Sequence, residues 1–327
     1  MEPVLAISHL SLSLPAKKGM VSILHDVSLT VEAGKILGLV GESGSGKSMT
    51  AFSITRLLSS GGHEKMGGSI RFSGEELTSK SEKEMQKIRG RDISMIFQEP
   101  MTCLNPVFTI GRQMTDVILT HQKVSKKEAY QIAKDMLESV HIRNAEDVLA
   151  SYPYELSGGM RQRVMIGIAL SCKPKLLIAD EPTTALDVTV QAKILYLIKE
   201  ACQKLGTAVI FISHDLGVIS EICDTIAVMY SGHIVEYGKA ADIFAQPEHP
   251  YTKALIASVP KFTVKDGERL FAIPGMVPDP SEQMPGCRFA PRCPYATEIC
   301  RKEMPKDQVA GDGHLVYCHN WKKAVKA

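Results

Sequence analysis

The stretch Gly41-Glu42-Ser43-Gly44-Ser45-Gly46-Lys47-Ser48 constrains the fold more than any other part of the chain. It follows the apolar run Ile36-Leu37-Gly38-Leu39-Val40 directly and leads into a helical pattern. The spacing fits G-x-x-x-x-G-K-[ST]. Glycines let backbone N–H groups turn inward around phosphate oxygens, and the new helix adds its positive N-terminal end. Lys47 supplies a point charge to the terminal phosphates, and the Ser48 hydroxyl is a ligand for Mg²⁺. Met49 continues the helix, so residues Gly41 through Met49 form the expected phosphate-binding segment. A run without polar residues suits a strand buried on both faces of a sheet. A strand, a phosphate loop and a helix in that order require an α/β architecture.

The rest of the chain repeats that alternation. Val4–Leu14 and Ile23–Val31 read as alternating strands, and Ser94–Phe97, Leu176–Ala179 and Ala208–Ser213 as short apolar ones. The helix after the phosphate loop is expected to run to about Leu58. Ser231-Gly232 between Thr225–Tyr230 and His233–Tyr237 is a hairpin signal. A helix is expected over about Val188–Leu205. Residues from about 100 to 170 read as a helical insertion, with a capping box at Ser125-Lys126-Lys127-Glu128. From Pro247 the composition shifts to prolines, glycines and cysteines without clear periodicity. Two domains are therefore expected, 1–246 and 247–327.

A net charge of +2 over 327 residues argues against a nucleic-acid role, so no nucleic-acid partner is expected. No run approaches the ~20 apolar residues that span a bilayer. The acidic start Met1-Glu2-Pro3 does not resemble a secretory signal, so the chain is expected to stay in the cytoplasm. Thiols there stay reduced, and Cys103, Cys172, Cys202 and Cys223 read as plain core or surface thiols.

Asp180-Glu181 closes the strand Leu176–Ala179, where open α/β sheets hold ligands. Asp180 is placed to hold Mg²⁺ through water, and Glu181 to orient or deprotonate an attacking water. Leu156-Ser157-Gly158-Gly159-Met160-Arg161-Gln162-Arg163 resembles the signature of the ABC ATPases. Gln98 matches that family's Q-loop, Ala185-Leu186-Asp187 its D-loop, and His214 its switch histidine. The resemblance implies a P-loop ABC-type nucleotide-binding domain with an inserted helical subdomain. It also implies that ATP is sandwiched between this chain's phosphate loop and the signature of a second ATPase. Ser157, Gly158 and Gly159 then face the nucleotide held by the partner. Gln98 joins Ser48 and Asp180 at Mg²⁺, and Glu181, His214 and Gln98 form the catalytic set, with Asp187 at the D-loop. The family usually stacks adenine on an N-terminal aromatic, yet none precedes Phe52, which leaves Leu14, Val21 or His25 to cover the base.

Two longer stretches, Ile96-Phe97-Gln98-Glu99-Pro100-Met101-Thr102-Cys103-Leu104-Asn105-Pro106 and Ile178 through Gln191, resemble the peptide/nickel importer ATPases. So do His249-Pro250-Tyr251-Thr252 and the cysteine-bearing tail. That resemblance implies ATP hydrolysis driving import of dipeptides or oligopeptides, with a nickel or metal-chelate importer as the alternative. It also implies a paralogous ATPase, two membrane permeases and an extracytoplasmic solute-binding protein, with this chain peripheral on the cytoplasmic face of the inner membrane. Cys287, Cys293, Cys300 and Cys318 could close one site as thiolates around zinc or an iron–sulfur cluster. The resemblance favours a [4Fe–4S] cluster, with zinc, or free thiols or disulfides, as the alternatives, disulfides being disfavoured by compartment; His314 and His319 are fallback zinc ligands or ordinary surface residues. A chromosome-organising ATPase would need a long coiled coil between Ser48 and Ser157, and the segment there is short and lacks heptads. A non-hydrolysing regulatory module would tend to lose the base, whereas Glu181 and His214 are both present.

Overall fold

The computed structural model describes residues 2–17, 19–58, 63–98, 103–183, 188–259, 271–282, 284–311 and 313–324. Along the chain come β1 (Leu5–Ala16), β2 (Gly19–Val31), β3 (Ile36–Val40), α1 (Lys47–Thr55), β4 (Lys65–Phe72) and β5 (Glu75–Glu76). Next are α2 (Glu82–Ile88), β6 (Ile93–Ile96), α3 (Ile110–His121), α4 (Lys126–Ser139), α5 (Ala145–Ala150) and α6 (Gly158–Leu170). Then follow β7 (Leu176–Asp180), α7 (Val188–Leu205), β8 (Ala208–Ser213), α8 (Leu216–Ile222), β9 (Thr225–Tyr230) and β10 (His233–Lys239). The chain closes with α9 (Ala240–Ala245), α10 (Pro250–Ala257), α11 (Glu298–Lys302), β11 (Gln308–Gly311), β12 (His314–Val316) and α12 (Trp321–Ala324). Two compact units result, residues 1–5, 31–36 and 79–212 in the first, and 6–30, 37–78 and 213–327 in the second.

The first unit contains the parallel strands β6, β7 and β8, with β7 in the middle. Every residue of β7 and β8 is buried, as expected for runs that carry no alternation. The helical insertion packs by simple periodicity. Helix α3 buries Ile110, Met114 and Ile118, and α4 buries Ala129, Ala133 and Leu137, each at i, i+4, i+8. The capping box at the start of α4 forms: Ser125 Oγ accepts from the Glu128 amide, and the Ser125 amide donates 2.7 Å to Glu128 Oε2. Helix α6 is buried on most of its faces. A Cβ on Gly167 would come within 3.4 Å of Leu137 and 3.7 Å of Met114, so this glycine sets how closely α6 approaches α3 and α4. Full burial of side chains such as Ile118 and Leu137 contributes about 1.5–3 kcal/mol each relative to exposure.

The second unit holds a four-stranded sheet in the order β2-β1-β4-β5 and a run of strands β11-β12-β10-β9-β3. Strands β3 and β9 are parallel, with Val40 opposite Val228, while β9, β10, β12 and β11 are antiparallel. The Ser231-Gly232 hairpin forms with both residues at positive φ, 45° and 82°, the geometry of a type I′ turn. Helix α1 stops at Thr55, short of the expected Leu58, because Arg56 takes a left-handed cap at φ 52° and returns its N–H to Phe52 and Ser53. The tail, which shows no periodicity in sequence, adds β12 to the edge of β10 and β11 beyond it. Strands of three and four residues are too short to carry a readable alternation. Among the described residues, no helix is long and apolar enough to cross a membrane.

Candidate nucleotide site

The phosphate loop lies in the second unit, between β3 and α1. Its shape depends on glycine. Gly41 has φ 152°, and a Cβ there would stand 2.2 Å from the Met229 carbonyl oxygen of β9. Gly46, the N-cap of α1, has φ 106°. The Gly232 amide of the hairpin donates 2.9 Å to the Ser45 carbonyl, tying loop to turn. Lys47, 6% exposed, directs its ammonium to the carbonyls of Gly41 at 2.8 Å and Glu42 at 2.9 Å. The ammonium is thus held within the loop where the sequence places phosphate oxygens. Gly41→Ala is expected to lower stability by on the order of 2–3 kcal/mol through the clash and the strained φ. Thermal denaturation with and without Mg·ATP measures it, and an unchanged melting point and affinity would contradict the geometry.

Glu42 is held twice from outside the loop. Its amide donates 2.9 Å to the Tyr251 hydroxyl of α10. Its carboxylate meets the Arg292 guanidinium side by side, at 2.7 and 3.0 Å. Sequence reasoning missed both partners. They lie more than two hundred residues downstream, in segments where nothing local points to Glu42.

In the first unit, parallel pairing places two expected residues side by side. Ile96 of β6 stands opposite Ala179 of β7. Two residues further, Gln98 and Glu181 leave the same end of the sheet, and Gln98 Nε2 donates 3.1 Å to Glu181 Oε2. Glu181 is at φ 45°, and its amide donates 3.0 Å to the Ile212 carbonyl of β8, which fixes a strained turn beyond the strand. Asp180, the last residue of β7, is 3% exposed. The oxygens of Asp180 and Gln98 are hard donors, the chemistry a Mg²⁺ ion takes. Ser157 caps α6, accepting from the Met160 amide at 3.3 Å, and Ser157 and Gly158 are exposed. A Cβ on Gly159 would lie 3.1 Å from Val190 Cγ1, so the start of α6 packs closely on α7.

His214 is exposed in the turn between β8 and α8, beside Asp215, whose carboxylate caps α8 at the Gly217 amide, 2.9 Å away. Asp187 lies outside the described residues. Of the three candidates for covering adenine, His25 is stacked on His233 with ring centroids 4.5 Å apart. Burial holds the imidazole of His25 below its usual pKa and pushes that of His233 down to about 3, so both rings are neutral. Leu14 and Val21 are half-buried.

The four tail cysteines line one small cavity with Phe289, Ala290 and Asn320. The Asn320 amide and side chain donate at 3.4 Å to the sulfurs of Cys318 and Cys300. Burial pushes the Cys287 thiol up to about 11 and that of Cys318 to about 12, so both are neutral thiols at ordinary pH. Among the described residues, no group of three or more His, Cys, Asp or Glu side chains is arranged to hold a metal ion. The expectation of an iron–sulfur or zinc site therefore has no support among the described residues. The four cysteines gather in one place, Cys300 and Cys318 buried and Cys287 and Cys293 half-buried. The fallback ligands are engaged elsewhere, His314 Nε2 with Glu236 Oε1 at 2.8 Å and His319 Nε2 with the Glu303 carbonyl at 3.0 Å.

A glycine-shaped phosphate loop, a carboxylate pair at a parallel strand end and a serine-capped glycine helix start define an ATP-binding cassette. The sequence profile described as ABC transporter matches residues 24–184, and that of the oligopeptide/dipeptide transporter C-terminal region matches 235–300. The chain is 50% identical over 320 residues to the oligopeptide transport ATP-binding protein AppD of Bacillus subtilis, covering 97% of each chain. It is 48% identical to the oligopeptide transport ATP-binding protein OppD of Salmonella typhimurium, over 96% of this chain and 93% of that one. It is 46% identical to the dipeptide transport ATP-binding protein DppD of Bacillus subtilis, over 97% and 95%. The dimeric cassette MJ0796, solved in a post-hydrolysis state bound to ADP and Pi, superposes with a TM-score of 0.64 at 25% identity, over 72% of this chain and 98% of that one. The protein belongs to the ATP-binding subunits of ABC transporters, in the oligopeptide/dipeptide branch, and is an ATPase.

Proposed function

We propose that this chain hydrolyses ATP to drive import of oligopeptides or dipeptides, at the cytoplasmic face of the inner membrane. Its partners in this reading are a paralogous ATPase, two permeases and an extracytoplasmic binding protein. The observation that carries the reading is a likeness running over almost the whole length of peptide-transport ATP-binding proteins, the C-terminal region included. The nickel alternative has no comparable support.

Bound Mg·ATP supplies the phosphoryl group to be transferred. The Gly41–Ser48 amides and Lys47 hold its phosphates, and Ser48, Asp180 and Gln98 supply oxygen to the metal. Glu181 takes the proton of the attacking water, with Gln98 fixing its carboxylate and His214 meeting the γ-phosphate. Exposed Ser157 and Gly158, with half-buried Gly159, present a helix N-terminus, an anion site, to the nucleotide on the partner ATPase. Asp187 and the domains 1–246 and 247–327 belong to the same proposal. No step of this reading is routed through an iron–sulfur cluster, for which the described residues give no support. Reconstituted with its permeases and binding protein, the transporter is expected to show ATPase activity stimulated by peptide and ATP-dependent uptake of labelled peptide. Stimulation by nickel and not by di- or oligopeptides would overturn the substrate assignment.

A further inference from the structure

The clamp on Glu42 uses every donor that Arg292 has. Nε donates to the Pro274 carbonyl at 2.9 Å. One terminal nitrogen donates to Glu42 Oε2 at 2.7 Å and to the Tyr230 hydroxyl at 3.2 Å. The other donates to Glu42 Oε1 at 3.0 Å and to the Ile273 carbonyl at 3.2 Å. A guanidinium has five N–H bonds, and all five are satisfied. The side chain is 4% exposed, so its orientation is set by packing rather than by solvent. The Glu42 hydrogen bond is the largest cause of an Arg292 pKa raised above even its usual value.

What the clamp holds is the backbone that presents phosphate-binding groups. The Glu42 carbonyl accepts from Lys47 Nζ and from the Ser45 amide at 3.2 Å. The Glu42 carboxylate would otherwise stand as a half-buried negative charge inside a loop built for a polyanion. A charge one residue from the phosphate cradle weakens anion binding unless an opposite charge cancels it locally.

We propose that Arg292 is a positioning residue for nucleotide binding: it neutralises and fixes Glu42, so that the C-terminal extension shapes the phosphate loop. The proposal rests on the reading of Gly41–Ser48 as the ATP site. It gives the extension a task in the ATP cycle separate from any metal.

The test measures Mg·ATP and Mg·ADP affinity of the full-length chain, and KM and kcat for ATP in the assembled transporter. Arg292→Ala is expected to weaken Mg·ATP about tenfold, raising KM far more than it lowers kcat. The penalty for Mg·ADP is smaller, because less charge is opposed. Adding Glu42→Gln to Arg292→Ala restores affinity to within about threefold of wild type, since the uncancelled charge is gone. Arg292→Lys keeps the charge but loses the fork, and falls between wild type and Arg292→Ala. Should Arg292→Ala not fold, Arg292→Lys and the double variant carry the comparison. A folded Arg292→Ala chain that binds Mg·ATP within twofold of wild type overturns the inference. So does a double variant as weak as the single one. If the wild-type chain itself fails to bind Mg·ATP, the underlying reading of the site falls, and the inference falls with it.

Discussion

Glu181→Gln is expected to lower the steady-state ATPase rate of the assembled transporter by about 10²–10⁴-fold, with Mg·ATP still bound. The side chain changes by one atom, so packing and the Gln98 contact survive, but an amide cannot take a proton from water. The geometry makes the residue hard to replace. Register between β6 and β7 sets Gln98 and Glu181 two residues beyond a paired Ile96 and Ala179. The strained turn at Glu181 is held by its amide bond to Ile212. The adjacent carboxylate, Asp180, is buried at the strand end. The measurement is phosphate release at saturating ATP, alongside nucleotide retention on the variant. Undiminished turnover would remove Glu181 from the role of base.

The phosphate loop and the strands around it were legible in sequence because their requirements are local. Gly41 and Gly46 stand at backbone angles that side chains resist, so the motif carries its own geometry. Apolar runs such as Leu176–Asp180 and Ala208–Ser213 are buried along their full length, and their positions were readable within a residue. The contacts of the extension were not legible, because they are non-local. Nothing near Arg292 announces Glu42, and nothing near His314 announces Glu236. The cysteines show the opposite error. Their sequence grouping correctly indicated a shared location, lining one cavity, but spacing alone does not specify a ligand set, and none is found among the described residues.

Glu236→Ala is expected to destabilise the second unit by about 3–5 kcal/mol, the usual penalty for removing one member of a buried charged pair. Glu236 is fully buried on β10 and serves three donors. Oε1 accepts from His314 of β12 at 2.8 Å and from the Glu248 amide at 2.8 Å. Oε2 accepts from the His249 amide at 3.0 Å. His249 Nδ1 in turn caps α10 at the Tyr251 amide, 3.0 Å away, and the Tyr251 hydroxyl accepts from Glu42. Truncation strands two amides and an imidazole at the root of the extension, and the disturbance passes by those bonds to the phosphate loop. A pH series separates this network from simple loss of packing. The hydrogen bond to Glu236 raises the His314 pKa above its reference of 6.5, so the pair's contribution is complete below pH 6.5 and is lost as pH climbs through the raised value. Burial lowers His249 to about 4, so its contribution is complete above pH 6.5 and is lost as pH falls toward 4. The wild-type melting temperature is therefore expected to fall on both sides of pH 6.5 through these two groups. In Glu236→Gln the alkaline decline largely disappears while the acid decline remains. An unaltered alkaline slope in Glu236→Gln would show that the His314 pair does not anchor the extension.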